Sequence, residues 1–561
     1  MYSPVLSVPA PGASAWAAET DPKYARAWLN ALPPGGSAEA ARELYQALYT
    51  VNRLAVRAPA RMELMALYDR ALATIGQGLL PHLANAVPPL TARKRRFAEF
   101  ARRLHIEMAY GYKCCLRDLS RARLSLGRKA RSAACIERTL HHLAQVLLRS
   151  YLAYLPYPAG VWREIHELYR LAEELGTVDA PQEIPEQGAR RAATIREGYL
   201  QVLLLGLADP YHLPQQSALQ VQALLAHKSG RARLLAPGAR PAPRKSRAWF
   251  VVDPKSDTPP FPLAKGVGEL PAGARLLDTG ALLELLQEQA ARLQRGEPMD
   301  RAALGVDCLE DACLDLIRRL VRAWGDAARR RYARQQRSSE LHVCIGLHAL
   351  HFVAAGERSF AAFLESCREP VPAHAALSRD FIDLDGTGAL DDAAAPPESQ
   401  RAPASPGRWR VRDVSPQGMA IACYGGAQTP MRVGELIGVR HATDPGRWRP
   451  AVIRWLKTPE PGSVEAGLEL LAGSMTAAAA RFADRTEDAA CPVLRLPAND
   501  IVPRPSTLLL PSGIAPAGAE LELLEEGAAP RRVRLLRLIE RTGSFEQMAY
   551  GESAKALRRG R

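Results

Sequence analysis

The spacing of apolar residues changes once along this chain, and that change limits the folds open to it. Up to about residue 235, apolar side chains recur every three or four positions, which is the period of amphipathic helices. From about residue 341 they alternate with polar residues or stand in short runs between Gly and Pro turns, as strands do. Because 561 residues are too many for one core, we expect a helical domain followed by β-rich domains.

Six segments of the first part carry the helical pattern. Pro and Gly clusters separate them, and short connections between amphipathic helices favour antiparallel packing in a bundle or stack. We expect one all-α domain over residues 20–235, acting as a scaffold or as an interaction surface. The predicted helices are 40–56, 61–75, 94–120, 134–154, 161–175 and 190–207.

The remaining chain predicts three further regions. A basic Pro/Ala linker at 238–247 leads into a small mixed α/β segment over 248–305, with strands at 248–253 and 275–277 and a helix at 280–293. Residues 306–475 indicate an antiparallel β-barrel, entered by an amphipathic helix at 307–331 and a strand from 341, and interrupted by an insertion at 357–407. Residues 476–561 indicate a second small β-rich module. The further predicted strands are 408–412, 419–423, 436–440, 451–456, 465–471, 507–510, 521–524 and 532–539.

The charge balance points to anionic partners. Lys and Arg total 74 against 59 Asp and Glu, a formal charge of +15, which favours nucleic acid, nucleotides, acidic proteins or a membrane surface. The longest apolar run, 199–208, is about half the length that a membrane span requires. The N-terminus lacks the features of a signal peptide, and the nine cysteines show no CxxC spacing. We therefore expect a cytoplasmic protein with reduced cysteines and no integral membrane contact.

One short motif suggests chemistry. The sequence Asp413-Val-Ser415-Pro-Gln-Gly418 has the form DxSxxG and lies between two predicted strands. A carboxylate and a hydroxyl two residues apart leave a strand on the same side, and glycine permits a tight turn or a close approach to a ligand. Asx and Ser turns use the same residues for structural capping alone, so the motif gains meaning only from its neighbours.

Those neighbours resemble the PilZ domain family of bacterial cyclic di-GMP receptors. The basic run 329–337, the DxSxxG motif and the strands VGELIGVR, WRPAVIRWLK and VEAGLELL follow one another as in that family, over residues 329–473. The resemblance implies a PilZ-like barrel on which an RxxxR segment and the D/NxSxxG motif clamp the dinucleotide. It implies ligand contacts from Arg330, Arg334, Asp413, Ser415 and Gly418. It leaves as possible supplementary contacts Arg331, Arg337 and Arg412.

The residue chemistry agrees with such a ligand. An arginine fork can grip phosphate oxygens or the O6/N7 edge of guanine, and it can stack on the base. Asp413 can accept hydrogen bonds from guanine N1 and N2, and Ser415 can bond a phosphate or a base edge. The RxxxR assignment has a rival in Arg408 and Arg412, because the insertion lengthens the usual spacing. We prefer Arg330 and Arg334, since the rival pair lies on the strand that runs directly into the motif.

Other functions have weaker support. No P-loop, GxSxG or HExxH motif is present, so we do not expect an enzyme or a cofactor beyond the ligand. We expect no metal site, since His348 and His351 would face opposite sides of a predicted strand. The alternatives are a nucleic-acid-binding protein, disfavoured because its basic runs lack interleaved aromatics, and a ligand-free PilZ-like scaffold. The leading hypothesis is a cyclic di-GMP effector that signals to an unknown protein partner through its helical region.

Overall fold

The structure is a computed structural model, in which the chain forms two compact units. The first unit is Met1–Arg331 with Lys457–Pro461, and the second is Tyr332–Leu456 with Gly462–Arg561. No helix in the described part of the chain is both long and apolar enough to cross a membrane. The structure describes residues 7–12, 14–33, 38–121, 127–185, 190–239, 249–263, 270–297, 310–325, 334–367, 407–424, 429–444, 446–482, 490–498 and 505–553.

Helices dominate the first unit, which confirms the predicted helical N-terminal region. Several are longer than the sequence pattern indicates, α3 most of all, since its buried stripe continues through Leu79 and Leu83. In the described ranges they are α1 (Pro22–Ala31), α2 (Ala38–Arg53), α3 (Ala58–Ala84), α4 (Ala92–Arg121), α5 (Arg128–Leu152), α6 (Val161–Glu174), α7 (Ile195–Leu207), α8 (Ser217–Lys228), α9 (Gly280–Gln294) and α10 (Glu310–Trp324).

The antiparallel pair α4 and α5 forms the centre of this unit. Leu104, Met108 and Leu140 on their apolar faces are at most 2% exposed. Burying one such side chain contributes about 1.5–3 kcal/mol. Gly111 lets α3 approach α4 closely, since a Cβ atom there would lie 2.3 Å from Sδ of Met65. The helical period of the sequence therefore corresponds to a shared apolar core.

The prediction of one helix over 190–207 is wrong at its N-terminal end. Arg190–Ala193 is strand β2, paired with β1 (Gln182–Pro185), and α7 begins after it. Thr194 and Glu197 form a capping box: Thr194 Oγ1 accepts the Glu197 N–H at 3.1 Å, and the Glu197 carboxylate accepts the Thr194 N–H at 3.2 Å. Two otherwise free backbone donors are thereby satisfied, which fixes the start of the helix.

A small sheet also belongs to the first unit. Its strands are β3 (Arg233–Leu234), β4 (Trp249–Val252), β5 (Phe261–Pro262) and β6 (Arg275–Asp278). They pair in the order β3-β6-β4-β5, and α9 follows β6 directly. The two strands and the helix expected within 248–305 are thus present, as β4, β6 and α9.

The cysteines differ from prediction at one described position. Cys313 on α10 is disulfide-bonded, whereas the sequence predicts reduced thiols throughout. The other seven cysteines in the described ranges are free. Burial raises the pKa of Cys344 to about 12, so that thiol is protonated and unreactive at neutral pH.

The second unit begins with a six-stranded antiparallel ring, which confirms the predicted barrel. Its strands pair in the order β8-β9-β10-β13-β12-β11, and β11 pairs back with β8. A short strand, β7 (Gln335–Gln336), pairs with the C-terminal part of β9, beyond the residues of β9 that pair with β8. The ring consists of β8 (Glu340–Ile345), β9 (Gly407–Ser415), β10 (Gly418–Tyr424), β11 (Leu436–His441), β12 (Arg449–Lys457) and β13 (Ser463–Leu470).

A second closed barrel follows in the same unit, which confirms the predicted β-rich C-terminal module. Its strands pair in the order β14-β15-β16-β19-β18-β17, and β14 pairs with β17. Phe545 and Leu509 of this barrel share one buried cluster with Leu436 and Val452 of the first. The two barrels are therefore packed against each other. The second barrel consists of β14 (Thr476–Phe482), β15 (Ala490–Leu496), β16 (Thr507–Pro511), β17 (Glu520–Leu524), β18 (Arg531–Arg541) and β19 (Phe545–Glu552).

The segment that carries His348 and His351 is a helix rather than a strand. Gly346, with φ of 92°, ends β8, and α11 (Leu347–Ala354) starts at the next residue. The two histidines were expected to face opposite sides of a strand, and that argument no longer holds. His351 is 1% exposed, and its Nε2 lies 3.0 Å from the Ala478 carbonyl oxygen. It therefore helps to hold α11 on the second barrel. A short helix, α12 (Phe360–Ser366), follows.

Candidate functional site on the first barrel

The DxSxxG motif forms the hairpin between β9 and β10. Ser415 pairs with Gly418 in the antiparallel register, so Pro416 and Gln417 make a two-residue turn. The Ser415 hydroxyl donates a hydrogen bond to the Gly418 carbonyl oxygen at 3.1 Å. Its lone pairs remain acceptors for a ligand donor. The turn therefore holds the serine in place without using all of its bonding capacity.

A β-bulge directs Asp413 to the outer surface of the barrel. Val411 pairs with Ile421 and Asp413 with Ala420, so Arg412 is the extra residue in β9. Val411 is 3% exposed and Ile421 is fully buried. Without the bulge, the carboxylate would share the face of Val411, because alternate residues of a strand face the same way. The bulge instead places Asp413 and Ser415 together on the outside.

Arg334 meets Asp413 across this surface. Its Nη1 lies 2.8 Å from Oδ1 and 3.1 Å from Oδ2 of the carboxylate. The Arg334 side chain is 32% exposed and that of Asp413 is 26% exposed. Strand β7 explains the meeting, since Gln335 and Gln336 pair with the end of β9 and bring the preceding residue beside the motif. One arginine of the predicted pair and the motif carboxylate are thus together.

Gly418 is required by the packing of two strands. A Cβ atom at this position would lie 2.2 Å from the carbonyl oxygen of Leu468 on β13. A backbone atom cannot rotate away as a side chain can, so any larger residue would push the hairpin from its neighbour. The glycine of the motif therefore has a structural role, in addition to any approach to a ligand.

The structure does not bring the other predicted arginines to Asp413 in the same way. Arg412, at the bulge, forms an ion pair with Glu465 of β13. Arg337 is exposed between β7 and β8. Outside the described part of the chain lie Arg330, Arg331 and the side chain of Arg408. The rival pair Arg408 and Arg412 therefore has one member already bound to a carboxylate.

Sequence reasoning missed an aromatic residue on the same outer face. Asp413 lies opposite Ala420, and Ala420 lies opposite Gly467 on β13. Trp455 of β12 covers that glycine, since a Cβ atom on Gly467 would lie 1.8 Å from its Nε1. Two small residues thus separate a half-buried indole from the Arg334–Asp413 pair. The available signal was the glycine in the strand VEAGLELL, which permits a close approach by a large neighbour.

The barrel order, the hairpin motif and the facing arginine define a PilZ domain. Residues 249–405 and 389–476 match the family model described as "Cyclic-di-GMP receptor FimW, middle PilZ domain". This part of the chain therefore belongs to the PilZ family, and the match extends further upstream than the sequence motifs indicate. The flanking parts match the FimW N-terminal domain over 23–240 and the FimW C-terminal β-barrel domain over 477–553.

One curated relative is similar over nearly the whole chain. It is the "Cyclic-di-GMP receptor FimW" of Pseudomonas aeruginosa, 28% identical over 563 aligned positions. The match covers 95% of this chain and 90% of the relative. No solved structure matches.

Proposed function

We propose that this protein is a cytoplasmic effector that binds cyclic di-GMP on the outer face of its first barrel. The observation that carries the proposal is the meeting of Arg334 with Asp413, two residues 79 positions apart, beside Ser415 and Gly418. The family match and the relative's description as a cyclic di-GMP receptor support the same ligand. Nothing in this arrangement calls for turnover, so its role is recognition rather than catalysis.

The Arg334–Asp413 ion pair leaves hydrogen-bonding capacity on both side chains for a ligand. A carboxylate has about four lone-pair positions, and the two oxygens of Asp413 can accept guanine N1 and N2 donors beside the guanidinium. Arg334 carries five N–H donors in a fixed fork, of which the pair uses one nitrogen, so the rest can reach phosphate or the guanine O6/N7 edge. Trp455 offers a flat aromatic surface on which a base can stack.

Further arginines would neutralise the two phosphates. We assign Arg330 as the second member of the RxxxR pair, with Arg331 and Arg337 as supplementary contacts. Arg412 would contribute only if it exchanged Glu465 for the ligand. Binding at β7 would act on the segment that precedes it and so reach the helical region, through which we propose that the protein contacts its partner.

Isothermal titration calorimetry of the full chain with cyclic di-GMP tests the site. We expect wild type to bind and Arg334→Ala and Asp413→Ala each to weaken binding at least tenfold, because one charge-assisted hydrogen bond contributes about 1.5–3 kcal/mol. Arg432→Ala, at an exposed arginine before β11, is the matched control and should bind as wild type does.

The possible outcomes separate the alternatives. No heat at tens of micromolar ligand would contradict the proposal and favour a ligand-free scaffold. A loss at Arg412→Ala as large as at Arg334→Ala would transfer the arginine role to the rival pair. Equal binding by every variant would overturn the assigned site but leave ligand binding intact.

A further inference from the structure

Strand β18 of the second barrel presents an unusual outer face. Leu536 is 58% exposed and Ile539 is 43% exposed, and they stand three residues apart on one strand. Large exposed aliphatic side chains gain little from folding, so a pair of them on one strand needs another explanation.

Both aliphatic residues stand at β-bulges. The register of β18 with β19 shifts between Leu535 and Arg537 and again between Leu538 and Glu540. Leu536 and Ile539 are therefore the extra, unpaired residues of the ladder. Two bulges within five residues turn both side chains outward, while Leu535 remains fully buried in the barrel core. Bulges are typical of places where a strand redirects a side chain for a purpose.

The surroundings of this pair are basic on the same strand. Arg532, Arg534 and Arg537 are exposed beside it. Arg534 donates to the Gly518 carbonyl oxygen, Arg532 lies opposite Glu522 of β17, and Arg537 lies opposite Ala549 of β19. On the neighbouring strand β19 the outward positions are the small residues Ala549 and Gly551. The surface is therefore low on that side of Leu536 and Ile539. The result is an apolar pair in a shallow strip that also carries three exposed arginines.

We propose that this strip, residues 532–539 of β18, is a docking surface for an acidic protein segment that carries aliphatic side chains. The charges complement such a segment, and Leu536 and Ile539 would contact its apolar residues. An anionic membrane fits less well, because Glu520 and Glu522 of β17 lie opposite Arg534 and Arg532 and would face the lipid phosphates. A discrete peptide can avoid those carboxylates, whereas a continuous surface cannot.

Fluorescence anisotropy with a designed peptide tests the proposal on the full chain. The probe is a labelled seven-residue peptide of alternating Glu and Leu, and the reference probe is its Lys/Leu counterpart. We expect the acidic peptide to bind wild type and the basic one not to. Arg537→Glu and the double variant Leu536→Ser, Ile539→Ser should each weaken binding at least fivefold, and added salt should weaken it further.

Matched controls locate the effect on this strip. Lys94→Glu reverses a charge at an exposed position of α4, and Leu54→Ser removes an exposed leucine elsewhere; both should bind as wild type does. Equal binding by wild type and the β18 variants would overturn the proposal. So would sedimentation with phosphatidylserine vesicles that the β18 variants abolish, because the partner would then be lipid.

Discussion

The two barrels of the second unit share one strand order and differ in what they display. Numbered from its own first strand, each pairs as 1-2-3-6-5-4 and closes between strands 4 and 1. In the first barrel, strands 2 and 3 meet at the two-residue turn of the DxSxxG motif. In the second, residues 497–506 join the same strands and contain no such motif. Shared topology therefore provides a framework, and the residues of one connection decide whether it carries the DxSxxG motif on which we propose the ligand binds.

Bulges make the same difference within the strands. One bulge in β9 turns a carboxylate to the outside of the first barrel, and two bulges in β18 turn aliphatic side chains to the outside of the second. The first barrel thus displays a carboxylate beside an arginine, and the second displays aliphatic side chains beside exposed arginines. Four substitutions test how far the barrels depend on each other and on these local features.

The largest effect is expected at the contact between the barrels. Phe545 is fully buried in the cluster shared with Leu436 and Val452. Phe545→Ala should lower the free energy of unfolding by about 4 kcal/mol, because it leaves a cavity in addition to the lost transfer energy. Hydrogen exchange followed by mass spectrometry should show faster exchange in both barrels. Leu536→Ala, at an exposed position, is the control, and loss confined to the second barrel would show that the two unfold independently.

The stability of the folded protein should depend on pH through His351. Burial lowers the pKa of its imidazole to about 4 from an ordinary 6.5, although the Ala478 carbonyl partly offsets this. Because the folded state resists protonation, its stability is complete above pH 6.5 and falls as the pH drops toward 4, by about 3 kcal/mol. Exchange protection of β14 should fall over this range in wild type.

His351→Gln should reduce that pH dependence, since a carboxamide can still donate to the Ala478 carbonyl without titrating. His227→Gln, at an exposed position on α8, should leave the wild-type dependence unchanged. An unaltered slope in His351→Gln would show that other groups cause the acid sensitivity of β14.

Replacing a glycine by alanine should lower stability by a smaller amount, and it should do so in the first barrel but not in the second. Gly418→Ala places a Cβ atom 2.2 Å from a backbone oxygen and should destabilise the first barrel by about 2 kcal/mol. Gly543→Ala, in the turn before β19, meets nothing within 4 Å and should be nearly neutral. Thermal unfolding measures both. Equal stability of the two variants would show that the hairpin can move away from β13, and that Gly418 serves the ligand alone.

Much of this architecture follows from sequence periodicity. The 3.6-residue pattern of 40–175 predicted α2 to α6, and the strands predicted on either side of the DxSxxG motif correspond to β9 and β10. The strands β14 and β15 were missed because Ala477–Ala480 and Pro492 have low strand propensity, and only closure of the barrel makes small residues suitable there. Trp455 was missed because covering Gly467 is a relation between strands, which no local pattern records.

The bulge at Arg412 was equally invisible to the sequence. Strict alternation would place Asp413 on the inner face with Val411, so the motif indicated the chemistry of the site but not how it reaches the surface. The prediction that Arg334 and Asp413 belong to one site came from the family resemblance. Their spacing did not indicate it, because the insertion separates them in the sequence. Local patterns therefore predicted elements, while register and closure determined the site.

The smallest effect tests the polar part of the contact between barrels. Arg454 of β12 lies 2.7 Å from Glu469 of its own barrel and 2.9 Å from Glu540 of β18. Arg454→Gln should cost about 1 kcal/mol, because a partly exposed pair is weak and two carboxylates lose their shared cation. Arg481→Gln, which removes an ion pair with Glu522 inside the second barrel, should cost less and leave exchange in the first barrel unchanged. Exchange in β12 that responds equally to both substitutions would mean that apolar packing at Phe545 alone joins the barrels.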